Sequence, residues 1–186
     1  MHAETHRVRA VVVSGPPASG KTTLAAGLAH ALHHAFIDLD IVTGTMTRAT
    51  LALAGADETA LDGELGARLR DARYGAVLDT AAANLGVGLG VVLSGPFTHE
   101  RTESARWNGL RERLGCPDTT LICLELAEPL RRERMRARDA PRDRAKLRAE
   151  EPSVTTDPLP GAIRIDASGD PAAVLDAALA ALSRRC

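Results

Sequence analysis

Val11-Val12-Val13-Ser14-Gly15-Pro16-Pro17-Ala18-Ser19-Gly20-Lys21-Thr22-Thr23-Leu24-Ala25 is the stretch that decides the fold of this chain. Residues 15–22 satisfy the pattern G-x-x-x-x-G-K-[ST] at every fixed position. Upstream, Val8-Arg9-Ala10-Val11-Val12-Val13-Ser14 is short and β-branched, as a buried parallel strand is. Downstream, residues 22–32 place apolar side chains at helical spacing. Strand, glycine-bearing turn and helix follow in the order that builds an anion site. Glycines let backbone N–H groups turn toward a phosphate without a Cβ in the way, and the helix N-terminus adds its dipole and unpaired donors. Lys21 is one of only two lysines, the remaining basic side chains being arginines, so its place in the pattern is not drawn from a plentiful background. The segment implies a nucleotide site in which Gly15, Ala18, Ser19, Gly20, Lys21, Thr22 and Thr23 surround the phosphates. Lys21 would reach the β- and γ-phosphates and Thr22 would ligate Mg²⁺.

Composition bounds the rest. A chain of 186 residues fits one domain, 1–186, with a sizeable core. Aromatics are only 2%, so that core must be built from Ala, Leu and Val. A net charge of −1 excludes partners that are bound by bulk charge, so neither nucleic acid nor a membrane surface is expected. The N-terminal residues carry no basic-then-apolar leader pattern, and no apolar run approaches the roughly 20 residues of a membrane span. Cys116, Cys123 and Cys186 show no metal or C-x-x-C spacing and read as reduced structural thiols. A cytoplasmic monomer or homodimer is the expectation.

Five short apolar runs, at 8–14, 35–38, 90–94, 120–126 and 162–166, alternate with helical patterns at 22–33, 67–86, 99–114, 128–138 and 171–184. Alternating β and α units with right-handed crossovers predict an α/β fold, a parallel sheet covered on both faces, with ligands beyond the carboxyl ends of the strands. Two segments interrupt this pattern. Residues 43–66, rich in Gly, Thr and Ala and weakly periodic, read as a flap over a substrate, which extends over about 43–72. Residues 134–148 read as an arginine lid broken by Pro141.

Phe36-Ile37-Asp38-Leu39-Asp40 closes the second run. Strand alternation would send Asp38 and Asp40 to one side, where one holds a metal shell and the other takes a proton from an attacking hydroxyl. Arg134 and Arg138 share a helix face and suit a closing lid over phosphate or base. The blander alternative is a solvated face with Arg–Asp pairs such as those near Asp139, Arg142, Asp143 and Arg144. After the third run, Ser94-Gly95-Pro96-Phe97 leads into Thr98-His99-Glu100-Arg101. Here Thr98 is a candidate N-cap, and Gly95 and Arg101 are candidates for an anionic substrate. Ser94 stands where motor and switch NTPases put a metal-side aspartate, which argues against those classes. Arg68, Arg70, Arg73 and Tyr74 form either a substrate anion site or a charged surface, and Arg48 is a separate substrate candidate. His30, His33 and His34 at a helix end read as a dipole contact rather than a metal site.

With the phosphate loop, the Asp38-x-Asp40 pair and the arginine segment in view, the chain resembles the small P-loop kinases. These are the shikimate, gluconate and adenylylsulfate kinase group, with its AAA-type, zeta-toxin-like and chloramphenicol phosphotransferase-like relatives. The resemblance implies a five-stranded sheet of order 2-3-1-4-5 and an ATP- and Mg²⁺-dependent transfer of a phosphoryl group to a small-molecule hydroxyl. It assigns Asp38 to the metal, Asp40 to the acceptor as base, Arg134 to adenine stacking and Arg138 to the γ-phosphate. The loop at residues 166–171 would surround the adenine. Ser94-Gly95-Pro96-Phe97 departs from the triple-glycine turn of shikimate kinases, so a sugar acid or related polyol fits better than shikimate. An antibiotic or nucleoside kinase, a toxin-like nucleotide-sugar kinase and a non-catalytic ATP-dependent regulatory module are the competing expectations.

Overall fold

The computed structural model describes residues 9–57, 60–61, 63–138, 147 and 157–185. Its centre is a five-stranded, all-parallel sheet in the order β2-β3-β1-β4-β5. The strands are β1 (Ala10–Ser14), β2 (Ala35–Asp38), β3 (Val91–Ser94), β4 (Thr120–Glu125) and β5 (Ile163–Asp166). Among the described residues six helices connect and cover them: α1 (Lys21–Leu32), α2 (Leu39–Leu53), α3 (Glu64–Gly86), α4 (Ser104–Leu114), α5 (Glu128–Arg138) and α6 (Pro171–Ser183).

The inner strands read as continuous apolar runs because both of their faces are covered, whereas Arg164 of the edge strand β5 is exposed. Along β1, Ala10 and Val12 point to one side and Val11 and Val13 to the other, all fully buried. The first side is packed by α3 and α4, through Tyr74, Val77, Leu78, Ala81, Leu110 and Leu114. The second is packed by α1 and α6, through Leu24, Leu28, Val174, Ala178 and Leu182. Small and aliphatic side chains therefore fill two separate cores with the sheet between them. Trp107 is partly buried against the first of these.

Two expectations need correcting. The flap read from residue 43 is helical, and its helix starts earlier than expected: residues 39–53 form α2. Its buried residues are Leu39, Thr43, Thr47 and Leu51, one every four positions, so half of the inward stripe is threonine and the apolar period is hidden. Thr43 is accommodated because its hydroxyl donates to the Leu39 carbonyl at 2.6 Å. Thr98 does not cap a helix either. Phe97 adopts φ 41°, and the chain passes through a turn before α4 opens at Ser104 with Glu103 in the N-cap position. The Thr98 carbonyl instead accepts from the Thr102 hydroxyl at 3.0 Å.

The register levels the carboxyl ends of the strands. Asp38 pairs with Ser94, Val13 with Ser94, Ser14 with Cys123 and Glu125 with Asp166. Every chemically informative segment leaves the sheet from this edge. Among the described residues no helix is long and apolar enough to cross a membrane.

Candidate active site

The loop after β1 turns tightly onto α1. Gly15 is required by close approach, since a Cβ there would meet the Ser19 hydroxyl at 2.9 Å and the Leu124 carbonyl oxygen at 3.0 Å. Gly20, the N-cap of α1, has φ 86°, and even Ala18 is held at φ 61°. A non-glycine residue held in the left-handed region costs free energy, and such strain gathers where a backbone is shaped for a ligand. The Lys21 ammonium donates to the Pro16 carbonyl at 2.7 Å, arching back over the loop. Burial lowers its pKa to about 8, with the nearby Arg138 charge pushing in the same direction. Asp40 and Asp38 pull it up, and Arg101 pushes it down. The lysine thus marks the meeting point of four other predicted site residues.

Asp38 ends β2 and works on two sides. Its Oδ2 accepts from the Thr22 hydroxyl at 3.0 Å, while its Oδ1 accepts from the backbone N–H groups of Asp40 and Ile41 at 2.9 and 3.1 Å, capping α2. Capping and ligand holding are compatible here because each uses a different oxygen. Asp40 corrects the strand argument. It is the second residue of α2, not a continuation of β2, so helix geometry rather than strand alternation sets its direction. Its Oδ1 accepts from Arg73 of α3 at 2.6 Å, and Arg73 Nε also donates to the Thr43 hydroxyl at 3.1 Å. Arg73 is nearly enclosed, with 13% of its side chain exposed, whereas 76% of Asp40's is open. The carboxylate is tethered on one oxygen and accessible elsewhere.

The other predicted residues divide. Arg134 donates from Nη1 to the Ala167 carbonyl at 2.9 Å and from Nη2 to the Ser168 carbonyl at 3.4 Å, tying α5 to the loop after β5. Asp166 shapes that loop by accepting from the Ser168 N–H and hydroxyl, both at 2.9 Å. Arg48 stays on an exposed face of α2 beside Thr45 and does not join the group around Lys21. Arg68 pairs with Glu64 in the open. Thr23 is exposed in the first turn of α1. His30 lies in the last turn of α1, and His33 caps it with its backbone N–H, which donates to the Ala29 and His30 carbonyls. The lid beyond Arg138, with Asp139, Pro141, Arg142, Asp143 and Arg144, lies outside the described residues, as does Cys186.

Two features escaped the sequence. Ser94 read only as a missing aspartate, yet its hydroxyl is buried, without a partner, next to Asp38 in the register. The turn after β3 is also clamped: the Ser14 hydroxyl donates to the Pro96 carbonyl at 2.6 Å, and the Phe97 N–H donates to the Tyr74 hydroxyl at 3.0 Å. The Tyr74 and Phe97 rings meet edge to face at 5.3 Å, and Arg70 lies 4.1 Å above the Tyr74 ring while donating to Glu100. The signal for the clamp was the Ser-Gly-Pro-Phe turn itself, but its tyrosine partner lies on another helix.

Strand order, phosphate loop and the Thr22–Asp38 contact together define a P-loop nucleotide-binding domain. A family model for the AAA domain matches residues 11–152, and the chain belongs to that family. Solved structures share the fold. A gluconokinase from Sinorhizobium meliloti 1021 is 21% identical with a TM-score of 0.61, the match covering 96% of this chain and 93% of that one. For a sugar kinase from Janibacter sp. the values are 22%, 0.60, 95% and 95%. For shikimate kinase from Aquifex aeolicus they are 18%, 0.55, 94% and 96%. No curated protein sequence matches the chain.

Proposed function

We propose that the chain is an ATP- and Mg²⁺-dependent phosphotransferase that moves the γ-phosphoryl group onto a hydroxyl of a small polar metabolite, a sugar acid or related polyol. One observation carries this reading: two carboxylates near Lys21 have different partners, Asp38 with Thr22 and Asp40 with Arg73. An NTPase that only switches needs the metal-side carboxylate; a second, tethered and open to solvent, is of use to an acceptor.

In this reading the backbone of residues 15–20 cradles the phosphates and Lys21 balances their charge. Thr22 and Asp38 would hold Mg²⁺. Hydroxyl and carboxylate oxygens are the hard donors that magnesium takes while keeping waters and phosphates as its other ligands. When bound, the metal supplies charge neutralisation across the β- and γ-phosphates. Asp40 orients the acceptor hydroxyl and takes its proton, and Arg73 keeps that carboxylate in place. Arg138 serves the transferred group. Arg134 uses its edge on the loop carbonyls, which leaves the flat face of its guanidinium for an adenine ring. Gly95, Arg73 and Arg101 border the acceptor, with Arg48 as an outlying candidate, and the arginines favour an acceptor that is itself anionic.

Asp38→Ala is expected to do two separable things. Loss of the α2 cap lowers stability by about 0.5–2 kcal/mol, read by urea unfolding without ligands. Loss of the metal oxygen raises the Mg²⁺ concentration needed for half-maximal activity. An unchanged Mg²⁺ requirement would reject the metal role and leave only the cap.

ADP release, coupled to a spectrophotometric readout across sugar acids, polyols, nucleosides, amino acids and aminocyclitols, tests the whole reading. Strong stimulation by one class supports it. Slow ADP formation that no small molecule stimulates would replace it with a nucleotide-dependent regulatory role. A nucleoside or antibiotic acceptor draws separate support from Ile41 and Met46, which are 68% and 72% exposed on the helix that carries Asp40.

A further inference from the structure

Arg101 carries a buried Nε with no hydrogen-bond partner. A buried charged donor without a partner costs free energy, so its retention calls for an explanation, of which a ligand is one. Its backbone is fixed at both ends. The Arg101 N–H donates to the Phe97 carbonyl at 2.9 Å, and the Arg101 carbonyl accepts from the Leu159 N–H at 2.8 Å. Phe97 in turn is fully buried, held at φ 41° and bonded to Tyr74.

Its side-chain charge lies toward the nucleotide half of the sheet. It acts on Lys21, at the head of α1, and on the Cys123 thiol of β4, whose pKa burial raises to about 11 and Arg101 draws down. Cys123 pairs with Ser14, the last residue before the phosphate loop. Arg101 and the acceptor-side group of Asp40, Arg73 and Thr43 all follow elements on the β2–β3 side of β1, but of these Arg101 alone acts on Cys123 of β4. Arginine donors match phosphoryl oxygens in geometry as well as in charge.

We propose that Arg101 contacts the γ-phosphoryl group of the bound nucleotide rather than an anion of the acceptor, and that Tyr74 is the positioning residue that holds it there through Phe97. This rests on the nucleotide-dependent transfer proposed above and replaces the acceptor-side role given to Arg101 in it.

The test needs no acceptor. Affinities of ADP and of the β,γ-imido analogue of ATP, each with Mg²⁺, are compared by calorimetry for the wild-type chain, Arg101→Met and Tyr74→Phe. Arg101→Met is expected to weaken the imido analogue by about tenfold or more, as for one charge-assisted hydrogen bond, and to leave ADP within about twofold. Tyr74→Phe is expected to shift the same ratio in the same direction by less, and to lower the melting temperature of the ligand-free protein because the buried Phe97 N–H loses its acceptor. Should Arg101→Met not fold, Arg101→Lys, which keeps the charge and loses Nε, carries the same comparison. An unchanged ratio overturns the proposal while leaving the phosphotransferase reading intact, and equal weakening of both nucleotides overturns it in favour of a structural role. If the wild-type chain binds neither nucleotide, both proposals fall.

Discussion

Lys21→Ala is expected to lower phosphoryl transfer by about 10²–10³-fold or more, as when a single charge-stabilising donor is removed from a preorganised site. The loss has a pH signature that a merely structural role would lack. With its pKa lowered to about 8 by burial and by Arg138, free Lys21 is protonated below that pH and neutral above it. A triphosphate binds the protonated form, so nucleotide binding above pH 8 must take up a proton. Affinity is then expected to fall by up to about tenfold per pH unit above 8. Calorimetry in buffers of different ionisation enthalpy reads the uptake directly. Lys21→Met should abolish both the uptake and the slope. A wild-type affinity that stays flat from pH 7 to pH 9 would mean that Lys21 does not meet the phosphates.

Asp40→Ala is expected to cut turnover by about 10²–10⁴-fold, the usual contribution of a positioned general base, while ATP binding at pH 7 is spared. Binding is spared because Asp40 is tied to Arg73 and Thr43 lies behind it; none of the three belongs to the phosphate loop. The effect on Lys21 has a defined sign. Asp40 raises the Lys21 pKa, so its removal lowers that value further and moves the pH-dependent loss of ATP affinity to lower pH. The two measurements separate chemistry from binding. If Asp40→Ala turned over at the wild-type rate with the true acceptor, the base would have to be another group.

How much of this was legible before folding depended on how local each signal was. The phosphate loop was complete in eight consecutive residues, and the five strands stood out because a parallel sheet covered on both faces needs uninterrupted apolar runs. The extent of helix α2 was not legible from periodicity. Four threonines and a glycine between residues 43 and 50 weaken intrinsic helix preference, and the inward Thr43 and Thr47 break the apolar pattern. Its stability comes from the Asp38 cap and from packing against its neighbours, which no window of sequence displays. Asp40 was named for its position on a strand and lies on a helix instead. The Tyr74–Phe97 bond spans 23 residues, and the buried donors of Ser94 and Arg101 exist only once the chain has closed around them.

The strand order has a consequence for how such a protein can change. β1 and its phosphate loop lie at the midline of the sheet, with β4, β5 and the Arg134 loop on one flank and β2, β3, α2 and α3 near the other. Under the proposed function, the β4–β5 flank serves the donor alone, while the other flank chooses the acceptor and lends the donor only Asp38 and Arg101. Selection can then rewrite residues on α2 and the first turns of α3 to admit a new hydroxyl compound without redesigning the fuel supply. Divergence within such a lineage should be lopsided across the sheet, with the acceptor flank drifting fastest.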